Sequence, residues 1–172
     1  MIKRAAFLLI ATLAGGQAAL AQETLTQKTQ APNTQAQTQE QSDLVVYKDP
    51  NCGCCTDWVK HVEQSGLNLD VRMSANMGEV KQFYGISPQL RSCHTAVSAA
   101  GYVFEGHVPA KLVQQFLANP PAGGHGLTVP AMPVGSPGME VGDKFMPYQV
   151  LQLNNDGSVE VYASIDKQAD QY

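Results

Sequence analysis

An α/β fold running β-α-β-α-β-β-α, then a Pro/Gly/Met-rich loop and a C-terminal hairpin, is what this 172-residue sequence predicts. Three observations carry the prediction. From Leu44 onward, short aliphatic runs alternate with stretches of helical apolar spacing. A C-x-x-C, Cys52-Gly53-Cys54-Cys55, falls where the first such run gives way to the first helix. An Asp156-Gly157 turn separates the last two runs.

The folded part is expected to begin near Asp43. Before it, Lys3 and Arg4 precede an apolar run, Ala5 to Leu13, too short to span a bilayer. Ala19-Leu20-Ala21 then supplies an A-x-A cleavage signature, so residues 1–21 read as a signal peptide, cut before Gln22, of an exported protein. Residues 22–42 follow as a disordered linker, in which Gln and Thr supply 12 of 21 positions. With no aromatic residue and Leu25 as its one large aliphatic, this stretch buries too little apolar area to offset the entropy of ordering. The folded domain spans 43–165, and 166–172 reads as a frayed tail.

Within the domain, Leu44 to Tyr47 is a continuous apolar run suited to a central strand covered on both faces. Asp49-Pro50-Asn51 is turn chemistry, and the helix from Thr56 to Ser65 carries Trp58, Val59 and Val62 inward before stopping at Gly66. Alternation over Leu67 to Met73 marks a second strand, and Gly78 to Tyr84 a short helix ending at Gly85. Thr95 to Ser98 and Tyr102 to Glu105 form a hairpin around Ala99-Ala100-Gly101. Ala110 to Ala118 is a third helix opened by Pro109. The Pro/Gly-rich stretch from Asn119 to Gly142 reads as one long loop. Tyr148 to Leu153 and Ser158 to Ser164 close the domain as a hairpin.

The four cysteines carry the chemistry. Cys52, Cys54 and Cys55 sit at a helix N-terminus, whose unsatisfied N–H groups and partial positive charge favour thiolate over thiol. In an exported protein four cysteines ordinarily mean two structural disulfides. A bond within the trio, however, would close a small strained ring and restrain almost no loop, so at most a bridge to Cys93 serves as a staple. With the leader removed, nine Lys and Arg face fifteen Asp and Glu, a net charge of −6 with no basic stripe, which excludes nucleic acid as a partner. No second apolar run reaches membrane-spanning length.

The element order with a C-x-x-C at the first strand–helix junction resembles the thioredoxin fold. Thioredoxins carry C-G-P-C, with a cis-proline before the third strand. This chain has Cys54 in place of the first proline and Cys93-His94 near the place of the second, adding soft or imidazole donors where a dithiol oxidoreductase is inert. Five motifs make a closer match: Cys52-Gly53-Cys54-Cys55, Trp58-x-x-His61, Ser92-Cys93-His94-Thr95, Glu105-Gly106-His107-Val108-Pro109, and Met132-Pro133-x-Gly135-Ser136-Pro137-Gly138-Met139-Glu140. Together they resemble the exported CopG copper-resistance family, which is distinct from the DNA-binding repressor of the same name. The resemblance runs from Leu44 to Val161. It implies a thioredoxin-like, copper-binding protein of the Gram-negative periplasm, found beside copper-efflux or copper-oxidase proteins. Its cysteine ligands fall on Cys52, Cys54, Cys55 and Cys93, with His94 paired to the last.

Donor chemistry points the same way. Thiolates with an adjacent imidazole suit Cu(I) or Zn(II), and three cysteines within four residues crowd one small zinc ion but bridge several Cu(I) ions readily. Cu(I) is the favoured metal, in a multinuclear centre, and zinc the lesser one. Metal-free, the chain is expected to oxidise at Cys52–Cys55. His107 is a second-tier ligand candidate that competes with a hydrogen bond to a neighbouring carbonyl. His61 lies seven residues beyond Cys54, about 10 Å along a helix axis, and takes a packing role; His125 is expected to be solvated. Met132, Met139 and Met146 are expected to pin the long loop to the core, with Met132 and Met139 as second-tier thioether ligands. Two other readings remain open: a thiol–disulfide oxidoreductase with Cys52 attacking and Cys55 resolving, and a zinc-stabilised binding module.

Overall fold

A computed structural model describes residues 42–172. The expected signal peptide, 1–21, and all of the linker but Ser42 lie outside the described residues.

Strand β1 (Leu44–Lys48) leads into α1 (Gly53–Gln64), β2 (Leu69–Met73), α2 (Met77–Phe83), β3 (Thr95–Ser98), β4 (Val103–Glu105) and α3 (Ala110–Ala118). This mixed α/β portion has the expected order of elements. β5 (Gly124–Thr128), β6 (Tyr148–Asn154) and β7 (Val159–Ile165) complete one seven-stranded sheet of order β2-β1-β3-β4-β5-β6-β7. β1 pairs parallel with β2 and antiparallel with β3, which places the end of β1, and so the start of α1, beside the Cys93–His94 approach to β3.

α1 begins three residues earlier than the apolar spacing suggested, so that Gly53, Cys54 and Cys55 form its first turn and Cys52 is its N-cap. Its inward stripe is Cys55, Trp58, Val59 and Val62. Trp58, Val59 and Val62 pack with Leu44, Val46, Phe104, Val113, Phe116, Leu127 and Val150 into one core. Each large apolar side chain buried there contributes about 1.5–3 kcal/mol relative to exposure. Phe104 and Phe116 meet edge to face at 5.7 Å.

Three expectations are corrected. The long loop from Asn119 to Gly142 contains a strand, β5, parallel to β4. Glycine hid it from the apolar pattern and also permits it: a Cβ at Gly126 would collide with the backbone of Val103 in β4. β5 then pairs with β6, so the final hairpin extends the main sheet. The tail is not frayed. Gln168–Gln171 forms a 3-10 turn, and the fully buried Gln171 accepts from Tyr148 Oη at 2.7 Å and donates Nε2–H to the Gly135 carbonyl at 2.7 Å. Nor do Met132 and Met146 pin the loop. Met132 and Met146 are 49 % and 54 % exposed, and Gln171 does the holding through an amide satisfied at both ends. Among the described residues no helix is long and apolar enough to cross a membrane.

Candidate metal centre

The turn Asp49-Pro50-Asn51 aims Cys52 at the α1 N-terminus, where its backbone is extended and its side chain makes no capping bond. That leaves the sulfurs of the first turn free for one another. Cys52 and Cys55, 5.4 Å apart at Cα, are joined in a disulfide, and Cys52 Sγ lies 3.5 Å from Cys54 Sγ. The ring closes over three residues and so restrains little chain. Cys55 is fully buried, while Cys52 is half-buried.

Cys93 arrives from across the fold, two residues before β3. Its sulfur and those of Cys52, Cys54 and Cys55 lie within 4.8 Å of one another. The same sulfur belongs to a second group with the ring nitrogens of His94 and His107, again within 4.8 Å. Cys93 Sγ is 3.3 Å from His94 Nδ1 and 3.1 Å from His107 Nε2. Burial first, and the neighbouring Cys54 thiol second, push the Cys93 thiol up to about 12. A proton therefore sits on this sulfur at neutral pH and must leave when a metal arrives.

His107 follows β4 directly, and its tautomer is fixed. Nδ1 lies 2.8 Å from the Pro137 carbonyl, which can only accept, so Nδ1 carries the hydrogen and Nε2 turns a lone pair toward Cys93. The carbonyl bond and the ligand geometry, expected to compete, are made by opposite nitrogens of one ring. Burial lowers the His107 pKa against the opposing pull of the Pro137 carbonyl, keeping the imidazole neutral. His94 is fully buried, its ring 4.3 Å from that of Trp58 and 5.1 Å from that of His107. Its pKa is driven well down by burial, then by His107 and by Lys81. Its Nε2 has no hydrogen-bond partner among the described residues. A buried nitrogen without a partner is costly, and a metal or a water is the usual remedy.

Trp58 is the wall of the site, donating Nε1–H to the Val108 carbonyl at 2.9 Å. Above it the loop segment Ser136–Pro137–Gly138 lies against α1. Gly138 has φ +84°, and a Cβ there would come within 2.6 Å of both Cys54 O and Trp58 N, so only glycine lets the strap close over the first turn. His61 stands apart, as its position on the helix predicts. It accepts from the Ala110 amide at 3.1 Å and packs edge-on against Tyr172. His125 is half-buried, contrary to expectation, with Nε2 3.2 Å from the Tyr84 carbonyl; its place on β5 explains the difference. Met139 is half-buried beside the strap, while Met132 is largely in solvent.

The donor set of four sulfurs and two neutral imidazoles fits a soft or borderline metal and offers no carboxylate for a hard one. A family model described as "Protein of unknown function, DUF411" matches residues 90–139, the stretch that carries Cys93, His94, His107 and the strap. Two solved structures are similar along most of the chain. One, named "Copper resistance protein copG- Form 1", is 43% identical with a TM-score of 0.66, covering 71% of this chain and 95% of that one. The other, named "Copper resistance protein copG- Form 2", is 42% identical with a TM-score of 0.69, covering 73% and 99%. No curated protein matches.

Proposed function

This chain belongs to the CopG copper-resistance protein family, and on that premise we propose that it is a periplasmic, thioredoxin-like protein that binds Cu(I) during copper stress. The ligands are Cys52, Cys54, Cys55 and Cys93 with His94, and His107 joins them through Nε2. The observation that carries this reading is the position of Cys93. Its sulfur lies within 4.8 Å of three sulfurs on α1 and 3.1 Å from an imidazole lone pair, and it belongs to both donor groups. A thiolate sulfur bridges more than one soft metal, so a shared cysteine favours a multinuclear centre. Met132 and Met139 remain second-tier ligands. Export is proposed from the leader, and copper-efflux or copper-oxidase proteins of the periplasm are the proposed partners.

The Cys52–Cys55 disulfide supports a redox role in the same site. Two Cu(II) ions oxidise the Cys52 and Cys55 thiols to the disulfide, yielding two Cu(I) ions and two protons. With that bond closed, Cys54, Cys93, His94 and His107 remain as a mixed sulfur–nitrogen donor set. The protein would then exchange one ligand set for another as its thiols change state.

A second reading draws on the same disulfide. A thiol–disulfide oxidoreductase would use the half-buried Cys52 as attacking thiolate and the buried Cys55 as resolving thiol. It should keep its turnover in Cys54→Ser and Cys93→Ser, whereas a copper protein should lose metal in both. Elemental analysis of anaerobically purified protein, with a free-thiol count, separates these readings from a zinc module. Copper bound with all four thiols reduced supports the proposal. Stoichiometric zinc that copper(I) does not displace overturns it.

A further inference from the structure

Beneath the metal centre lies a buried ion pair that the copper chemistry does not use. Glu105, the last residue of β4, is fully buried, and Lys81 of α2 reaches it with Nζ 2.6 Å from Oε1. Charges this deep are costly unless they are paired and hydrogen-bonded, and here both carboxylate oxygens have partners. Oε1 also accepts the Ser92 backbone N–H at 2.6 Å, while Oε2 accepts the Thr95 hydroxyl at 2.7 Å. Lys81 in turn donates to Thr95 Oγ1 at 3.1 Å.

Ser92 and Thr95 are the residues on either side of Cys93-His94. One carboxylate thus grips both ends of that dipeptide, one oxygen to each, and the Gly106 N–H holds its middle through the His94 carbonyl at 3.0 Å. Register adds to this: Thr95 pairs with Glu105 across β3 and β4, and His107 follows Glu105 by two residues. A shift of Glu105 therefore moves Cys93, His94 and His107 together.

We infer that Glu105, its charge balanced by Lys81, is the positioning residue that sets Cys93 and His94 against the sulfurs of α1. The inference rests on the metal-binding reading but makes a separate claim. The pair is a fixed platform for the far half of the site, where a plain core ion pair would stabilise the domain uniformly. Glu105 itself touches no metal in this account. Its oxygens are all occupied by Lys81, Ser92 and Thr95.

The test compares the two free thiols of the metal-free, disulfide-containing protein, Cys54 and Cys93, by alkylation and peptide mass spectrometry. Cys54 sits on α1, outside the grip, and acts as the internal reference. Replacing Glu105 alone strands the Lys81 charge, so the variant is the neutral pair Lys81→Met/Glu105→Gln. Thr95→Val is the second variant, because it keeps the Lys81–Glu105 pair and removes the hydroxyl that donates to Oε2 and accepts from Lys81. In either, the ratio of Cys93 to Cys54 labelling should rise about tenfold, as expected for losing a hydrogen bond to a charged group. Cu(I) affinity should fall about 10–100-fold. A melting temperature that drops while the labelling ratio stays unchanged overturns the inference and leaves a purely structural ion pair. Thr95→Val decides the matter if the double variant does not fold. The labelling arm needs no metal: wild-type protein that binds no copper removes the proposed function, and the ratio still judges Glu105.

Discussion

His107 Nε2 lies 3.1 Å from Cys93 Sγ because the Pro137 carbonyl holds the opposite nitrogen at 2.8 Å. The histidine is turned by a loop that follows it by 30 residues, and that loop is held against α1 by Gly138. The ligand orientation therefore depends on the strap. Adding a methyl at position 138 puts a Cβ 2.6 Å from Cys54 O and Trp58 N at a left-handed φ. Gly138→Ala should cost about 1–3 kcal/mol in stability, read by denaturant unfolding. It should also weaken copper binding, which an Ala substitution at the open, remote turn glycine Gly157 should not.

Cys93 is common to both donor groups, so its loss should be felt more widely than that of any other cysteine. Cys93→Ser should weaken Cu(I) binding by more than the about 10–100-fold typical of changes in outer-shell partners. The disulfide and the fold should persist, as judged by circular dichroism and a thiol count of one under oxidising conditions. Copper stoichiometry by elemental analysis is the readout.

Stability of the metal-free, oxidised protein should pass through a plateau with pH. On the acid side, His94 and His107 have folded pKa values depressed below the ordinary 6.5 by burial, so the unfolded chain binds protons first. Their contribution is complete above about 6.5 and is lost as pH falls below it. On the alkaline side, the Cys93 thiol is raised from 9.0 to about 12, again by burial. Its contribution is complete below about 9 and is lost as pH climbs toward 12. Urea midpoints across pH 5 to 11 should trace that shape, and Cys93→Ser should remove much of the alkaline fall. Tyr148, likewise raised by burial, accounts for part of what remains.

Gln171 should matter far more than its place in a polar tail suggests. Its amide accepts from Tyr148 Oη and donates to the Gly135 carbonyl, tying the last turn to β6 and to the strap. Gln171→Leu leaves both partners buried and unpaired, at about 1–3 kcal/mol each. A fall in melting temperature for this variant, with little change for the exposed Asp166→Ala, is the expected outcome.

The sequence made some of this legible and hid the rest for identifiable reasons. α3 was readable over Ala110–Ala118 because four buried residues, Ala110, Leu112, Val113 and Phe116, repeat at helical spacing behind a proline. The cysteine trio was readable because its members are neighbours. β5 was not, since Gly124-His125-Gly126 carries no apolar alternation and Gly126 serves close contact with β4. The tail was missed because its anchor is an amide, which composition assigns to solvent. Met132 and Met146 misled in the opposite direction, being apolar residues left at the surface. Cys93 and His107 were both candidates, but their approach to one point is long-range, made by β3–β4 pairing and by the strap. The Glu105 grip lay inside a recognised motif and had no local signature, because a carboxylate shows its partners only after the chain has folded.

The most direct measurement is a protection map of the four thiols. Reduced protein, loaded anaerobically with Cu(I), is alkylated and each cysteine is read by mass spectrometry. Cys52, Cys54, Cys55 and Cys93 should all be shielded together, and all should become reactive when a strong Cu(I) chelator strips the metal. Copper-loaded protein in which Cys93 labels as fast as in the metal-free form would contradict the account, because the sulfur that joins the two halves of the site would then hold no metal.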